Sequence, residues 1–360
     1  MKIVFFIGGL GGGGAERVVC NLSDYLSKKN DVTILTLSSI KSIYKINQKV
    51  THINLENDKK IKLFLLKNTY RIYNLYKFIK IKEYDIIITF LPIPSFIMLL
   101  FRSIIKAPIL VSVRNDPKIE YKSKYMNLIM KWLYPRADGF VFQTEEAKNY
   151  FKNIINNNYD IIPNPINKEF LIDPFCGERE KVIVSVGRLV AQKNHILLIN
   201  AFSEICNKYP EYKLIIYGDG ELRDKLEQRI EELNLNNRVI LPGNVENVPK
   251  HIYKASLFIL SSDYEGMPNA LMEAMALGLP VISTDCPCGG PNFLIKHGIN
   301  GILIPVGNSK ELVSAIDIVL TDKDYLNKLS KESSKICENL SPERIFLKWQ
   351  KYIYKFCTKI

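Results

Sequence analysis

Two carboxylates, Glu265 and Glu273, stand eight residues apart in the stretch Ser261–Pro291, SSDYEGMPNALMEAMALGLPVISTDCPCGGP. An apolar, strand-like run, Leu257–Leu260, gives out just before it, and a turn carrying Glu265, Gly266 and Pro268 follows. Helix formers occupy Asn269–Leu277. Gly278 then supplies a stop, Pro280 prevents continuation, and Val281–Thr284 restarts a strand. A helix N-terminus therefore sits at the C-terminal end of a strand, where open α/β sheets bind ligands and free backbone N–H groups favour phosphate. Carboxylates accept hydrogen bonds from hydroxyls, so a polyhydroxylated ligand beside a phosphate fits the pair. The alternative makes Glu265 a solvated turn residue and Glu273 an exposed helix residue. Against it, Glu273 is flanked by Ala270, Met272, Ala274, Met275 and Ala276, where a carboxylate is costly unless satisfied.

Cations stand at a second strand end. The run Lys181–Gly187 reads as a strand, Arg188 follows it, and Lys193 precedes a helix starting at Asn194. Two cations so placed can neutralise a leaving diphosphate; the alternative is ordinary surface charge. Strand Lys213–Tyr217 ends in Gly218-Asp219-Gly220 before the helix Glu221–Leu233, and strand Arg238–Leu241 ends in Pro242-Gly243-Asn244. Repeated strand–helix units of this length mean a doubly wound parallel sheet. The N-terminus repeats the theme, with strand Lys2–Ile7 opening onto Gly8–Gly14 and a helix beginning at Ala15. Gly9, Gly11 and Gly14 match the dinucleotide fingerprint. That fingerprint also wants an acid after the second strand, yet Val32–Leu37 ends in Ser38-Ser39, with Asp31 at its wrong end.

The Glu-x7-Glu spacing of Glu265 and Glu273, followed by the run Gly278–Asp285, resembles the donor-site signature of glycosyltransferase family 4, retaining enzymes of the GT-B fold. The tail Asp285–Pro291 is similar to the branch that builds bacterial surface polysaccharides. The resemblance implies an α/β chain of two Rossmann-like doubly wound domains facing a central cleft. Residues 1–165 would bind the acceptor, 166–341 the nucleotide-sugar donor, and helix 342–360 would pack back on the first domain. By the same resemblance Arg188 and Lys193 face the donor diphosphate, with Gly266, Met267, Pro268 and Asn269 at the helix start. Glu273 would take the ribose, Glu265 the sugar, and the Gly243 turn the nucleobase, with Gly218 also lining the donor site. Gly13 and Gly14 would lie beside diphosphate and acceptor. Many relatives carry a His over the reacting sugar, after the strand Ile109–Val113; here Arg114, Asn115 and Asp116 stand in its place. No second carboxylate offers itself as a covalent nucleophile, so retention implies same-face attack. Neither a metal nor a cofactor is expected, because fixed cations and the helix dipole bear the charge.

The chain must present these loops on a sizeable core. With 360 residues, 47% hydrophobic and 24% charged, two soluble domains are expected. No apolar run is long enough to span a bilayer; Ile86–Ile105 is broken by Pro92, Pro94 and Arg102. The first strand runs into glycines and does not read as a signal peptide. Seven cysteines without repeating spacing suit a reducing cytoplasm, and Cys286-Pro287-Cys288 lacks the second pair a metal site needs. Asp322-Lys323-Asp324 reads as a solvated helix start. Charge is uneven, for residues 1–170 hold 26 basic and 14 acidic residues whereas 171–360 hold 23 of each. Between Lys59 and Lys82 there are eight basic residues and no acid, with Phe64, Leu65, Ile72, Leu75 and Ile79 interleaved at helical spacing. A core-packing face with a basic rim at an anionic membrane follows, and Tyr121–Tyr134, with Lys122, Lys124, Lys131 and Trp132, extends that surface. Arg344, Lys348, Lys351 and Lys355 on the helix Pro342–Phe356 enlarge it. No nucleic-acid motif accompanies the charge. These readings describe a cytoplasmic enzyme, peripheral on the inner face of the cell membrane. The resemblance implies that it moves a hexose or N-acetylhexosamine from a nucleotide sugar, UDP-linked with guanosine diphosphate-mannose as the second choice, to a polyprenyl-diphosphate-linked saccharide. The alternatives are a dinucleotide-dependent oxidoreductase and a non-catalytic nucleotide-sugar-binding protein of the same fold.

Overall fold

A computed structural model describes residues 1–40, 42–56 and 64–357. Lys59, Lys60 and Lys62 of the basic run lie outside the described residues, as do the side chains of Phe64 and Leu65. The chain divides into two compact units, residues 1–165 with 343–360, and residues 166–342.

In the first unit, strands β1 (Lys2–Ile7), β2 (Asp31–Thr36), β3 (Val50–Asn54), β4 (Ile86–Phe90), β5 (Ile109–Ser112), β6 (Gly139–Phe142) and β7 (Tyr159–Ile161) form one parallel sheet, ordered 3-2-1-4-5-6-7. Phe5 is in register with Ile34 of β2 and Ile88 of β4. β4, β5 and β6 are buried along their whole length, which is why they read as unbroken apolar runs and not as alternating ones. Asp160–Ile166 reads in the sequence as an extended, proline-stiffened linker between domains, and the structure takes its first two residues, with Tyr159, into β7. It pairs with β6 as a seventh strand, and only the prolines beyond it leave the sheet. Pro92 and Pro94 open a helix, Pro92–Leu100, instead of merely interrupting an apolar run; proline suits a first turn, where no intrahelical N–H is needed. The helix Pro342–Cys357 completes this unit. Its Trp349 is fully buried, with its ring 5.8 Å from that of Phe90, and the Tyr352 hydroxyl accepts from the Phe140 N–H at 3.1 Å.

The helix Phe64–Ile81 buries Leu75, Phe78 and Ile79 but leaves Ile72 48% exposed, a departure from the expected core face. Lys67 and Arg71 are not free rim charges. Both pair with the buried Glu56, Lys67 at 3.0 Å, and these bonds together with those from Ser39 hold the Glu56 carboxyl down at about 2 against its burial.

The second unit repeats the plan. Strands β8 (Glu180–Val186), β9 (Lys213–Tyr217), β10 (Val239–Gly243), β11 (Ala255–Leu260), β12 (Val281–Thr284) and β13 (Ile302–Ile304) are all parallel, ordered 10-9-8-11-12-13. Leu198, Phe202, Leu214, Ile216, Leu257, Ile259 and Ile316 are among the residues of its core.

Candidate active site

In the second sheet β9 lies on one side of β8 and β11 on the other. The chain therefore leaves the C-terminal ends of β8 and β11 in opposite directions, and such a switch point is where open α/β sheets bind ligands. Side chains from both loops meet there. Lys193 Nζ lies 2.5 Å from Glu265 Oε1, joining the loop after β8 to the loop after β11. Ser262 Oγ donates to the same oxygen at 2.7 Å, and Gln192 Nε2 donates to the Tyr264 carbonyl at 2.9 Å. The Asp263 N–H bonds the Gln192 carbonyl at 2.9 Å, and Asn194 Nδ2 reaches Asp263 Oδ1 at 2.7 Å. Asn194 adopts the left-handed conformation, φ 45°, that asparagine tolerates, and its side chain caps the helix His195–Ile205 through the Leu197 N–H. Glu265, 6% exposed, is thus a buried partner of a cation and not a solvated turn residue. Removing either member would strand the other's charge. An ammonium has three donors, so Lys193 retains donors for a second anion while it holds Glu265.

Arg188 is exposed, and its guanidinium makes no ion pair among the described residues. Glu273, 7% exposed, lies on the second turn of the helix Asn269–Ala276, whose N-cap is Pro268; Met267 is buried beside that cap. The loop after β12 braces this turn. Glu265 N–H donates to the Pro287 carbonyl at 3.1 Å, and a Cβ added to Gly290 would lie 2.0 Å from the Gly266 carbonyl oxygen. Glycine is required there by close approach. At the β9 end Gly218 has φ 133°, and a Cβ would meet the Gly187 carbonyl oxygen at 1.9 Å, while its N–H reaches the Gly243 carbonyl at 2.9 Å. The ends of β8, β9 and β10 are therefore drawn together as bare backbone. Two titratable groups lie near the pair. Burial, with the Lys193 charge second, holds His195 down at about 4, hence neutral. Burial, with Glu265 second, pushes the Cys286 thiol up to about 12.

In the first unit Gly13 caps the helix Gly14–Leu26, and its carbonyl accepts from Tyr44 Oη at 3.1 Å. Leu91, at the end of β4, has φ 71°, a strained value for a non-glycine residue. Beyond β5, Arg114 is buried with its guanidinium 5.1 Å from the Phe90 ring and 5.0 Å from the Trp349 ring. It donates to Ser112 and, at 3.1 Å, to Asn164, while burial lowers it to about 9. Asp116 is buried and caps the short helix Pro117–Glu120 by accepting from the Lys118 N–H at 2.9 Å. Asn115 lies near Glu120, a residue that carries no motif or periodic signal. Burial raises the Glu120 carboxyl to about 7, with Asp116 adding to the rise and Asn115 opposing it.

Of the residues singled out from the sequence, Arg188, Lys193, Gly218, Gly243, Glu265, Gly266, Met267, Pro268, Asn269 and Glu273 all lie at the C-terminal edge of the second sheet. Gly13, Gly14, Asn115 and Asp116 lie at the corresponding edge of the first. Ser262, which holds Glu265, and Gln192, which holds the neighbouring Tyr264 carbonyl, are polar loop residues and carry no periodic signal in the sequence.

Two parallel-sheet units that share the order 3-2-1-4-5-6, the first with a seventh strand, are the architecture of the GT-B class of protein. Residues 12–170 match the family model for Glycosyltransferase Family 4, and residues 171–336 match that for Glycosyl transferases group 1. A Campylobacter jejuni protein, N-acetylgalactosamine-N,N'-diacetylbacillosaminyl-diphospho-undecaprenol 4-alpha-N-acetylgalactosaminyltransferase, is 31% identical over 93% of this chain and 94% of its own. An Escherichia coli UDP-Gal:alpha-D-GlcNAc-diphosphoundecaprenol alpha-1,3-galactosyltransferase is 30% identical over 74% of each. Among solved structures, Anabaena HepE in complex with UDP superimposes with a TM-score of 0.83 at 19% identity, over 99% of this chain and 100% of that one. The chain belongs to the family 4 glycosyltransferases, with the GT-B fold, and is a glycosyltransferase.

Proposed function

We propose that the protein is a retaining glycosyltransferase that moves a hexose or N-acetylhexosamine from a UDP-sugar to a polyprenyl-diphosphate-linked saccharide in bacterial surface-glycan assembly. The Lys193–Glu265 pair across the β8/β11 switch point is the observation that carries this reading. It sets a cation for diphosphate and a fixed carboxylate for sugar hydroxyls within one crevice edge. Arg188, exposed and without an ion pair among the described residues, adds the second cation. The helix start at Met267–Asn269 adds N–H groups. Glu273, one turn further on, takes the ribose hydroxyls, and Glu265 orients the sugar. The acceptor hydroxyl attacks the face from which the diphosphate leaves, and its proton passes to that diphosphate. These fixed positive groups carry the leaving charge, so turnover needs no divalent metal. The named substrates of the Campylobacter and Escherichia relatives support an undecaprenyl-diphosphate-type acceptor, and the UDP of the Escherichia and Anabaena proteins supports the donor nucleotide. Gly13, Gly14, Asn115 and Asp116 of the first unit serve the acceptor side. The enzyme works peripherally at the anionic inner face of the cell membrane. No helix among the described residues is long and apolar enough to cross it.

The test is calorimetric binding to a panel of UDP- and GDP-sugars and NADH, repeated with Glu273→Ala and Lys193→Ala, and followed by turnover in EDTA. One UDP-sugar should bind, with affinity and turnover falling by about two orders of magnitude in either variant. Binding of NADH alone, or wild-type turnover in both variants, would sink the assignment.

A further inference from the structure

The side chain of Arg188 is exposed, yet the backbone that presents it is laced to the segment after β9. Gly187 N–H donates to the Tyr217 carbonyl at 2.9 Å and Leu189 N–H to the Asp219 carbonyl at 3.0 Å, so both neighbours of Arg188 are pinned to that strand end. The Leu189 carbonyl in turn accepts from the Leu222 N–H at 3.0 Å, and the Leu189 side chain is fully buried. Contact is closest at Gly220, where an added Cβ would lie 2.5 Å from the Leu189 carbonyl oxygen and 2.9 Å from its nitrogen. A shift in residues 218–222 is therefore carried to Arg188.

On their other side residues 218–222 are held to β10. The Gly218 N–H donates to the Gly243 carbonyl at 2.9 Å, and the Arg223 guanidinium supplies the rest. Its Nε donates to Asp219 Oδ1 at 2.9 Å, and its Nη2 lies 3.5 Å from the Gly218 carbonyl oxygen. Its Nη1 reaches the Leu241 carbonyl of β10 at 3.2 Å and Glu227 at 3.0 Å. Asp219, fixed from that side, also accepts from the Gly220 N–H at 2.8 Å. The pairs with Asp219 and Glu227 are spaced i, i+4 and their carboxylates are half-exposed, so as ion pairs they contribute little. What sets Arg223 apart is its reach from the β9 segment to a β10 carbonyl. A planar fork of five donors serves both at once, whereas an ammonium is a point charge.

We infer that Arg223 is a positioning residue for the donor diphosphate, acting through Arg188. It does not touch the substrate; it ties the end of β10 to residues 218–222 and so fixes where the backbone of Arg188 stands. The inference rests on the reading above that Arg188 meets the diphosphate.

Calorimetric binding of UDP tests it, with Arg188→Gln, Arg223→Gln, Arg223→Lys, and Arg188→Gln combined with Arg223→Gln. Arg223→Gln should weaken binding by about tenfold. Arg223→Lys keeps the charge but not the fork, and should lose about as much. It also carries the test should Arg223→Gln not unfold cooperatively in urea. The combined variant should bind within about twofold of Arg188→Gln alone, because both changes remove the same contact. Glu227→Gln, which leaves the Asp219 and Leu241 contacts in place, should bind as the parent does. The inference is overturned if Arg223→Gln and Arg223→Lys bind UDP like the parent, or if Arg223→Lys alone restores parental binding, which would make charge the whole effect. It is also overturned if the losses in the combined variant multiply, the mark of a merely structural role. A parent that binds no UDP, or an Arg188→Gln variant that binds it undiminished, would remove the donor reading itself and the inference with it. The other outcomes overturn the inference alone.

Discussion

Glu120 is a carboxyl whose environment works against its charge. Its pKa stands at about 7 in the folded chain against an ordinary 4.5, chiefly through burial. Between those values the folded state holds a proton that the unfolded state has released, so stability falls as pH rises from 4.5 to 7 and is level above. Glu120→Gln removes the ionisation without changing the shape. It should leave stability unchanged near pH 4 and raise it at pH 8 by about 2 kcal/mol, discounted for the part of the side chain that water reaches. Both tryptophans, Trp132 and Trp349, lie in the first unit with Glu120, so urea unfolding followed by intrinsic fluorescence reads the right part of the molecule. A difference between variant and parent that is the same at both pH values would show that the carboxyl is not titrating there. Asp116, four residues earlier in the chain, holds the cap of the short helix Pro117–Glu120 with its carboxylate and adds to the rise at Glu120.

At the scale of elements, the turn carrying Glu265 is shaped from below by a glycine in another loop. An alanine at Gly290 would place its Cβ 2.0 Å from the Gly266 carbonyl oxygen and 2.9 Å from Pro268 Cδ. The turn must shift, and with it the helix start at Asn269. Gly290→Ala should therefore cost roughly 2 kcal/mol of stability and lower nucleotide-sugar affinity by about tenfold or more. Gly8→Ala, whose added methyl meets nothing within 4 Å, is the control expected to behave as wild type. Retained affinity in Gly290→Ala would mean that the turn does not position the donor. The glycine's role was invisible in the sequence because it depends on a contact 24 residues away. What the sequence did carry was periodic or typed. Strand ends gave β8, β9, β11 and β12 to within a residue or two, and Glu273 betrayed its burial by its apolar neighbours. Elements stabilised by sheet pairing escaped notice, notably β3, with its polar Thr51 and His52, and β7, which resembled a linker until β6 was there to pair with it. Ile72 shows the converse error, since helical spacing alone cannot say how wide a buried face is.

Across the whole chain the charge is divided by half. Residues 1–170 carry 26 basic and 14 acidic residues, and residues 171–360 carry 23 of each. The two halves should therefore answer differently to salt. On the proposed reading, charges on the surface of the first half would act on an anionic bilayer through water, where screening reaches about 8 Å at 0.15 M ionic strength and about 3 Å at 1 M. Lys193 acts within a buried pair, its side chain 14% exposed, where mobile ions penetrate little. Not every basic residue contributes in full, for Lys67 and Arg71 share the Glu56 carboxylate, which offsets one of their two charges, and the excess is felt mainly through the exposed lysines that remain. Raising salt from 0.05 M to 0.5 M should therefore lower transfer to a vesicle-borne acceptor by about tenfold or more, through the acceptor KM. The same change should move the UDP-sugar Kd by less than about threefold. Transfer to a short, uncharged acceptor free in solution should follow the donor and not the vesicle. Steady-state rates on the two acceptors at matched donor saturation make the comparison. If salt depresses both acceptors alike, the basic excess acts at the donor or on the fold, and the membrane is not what the first half's charge is for.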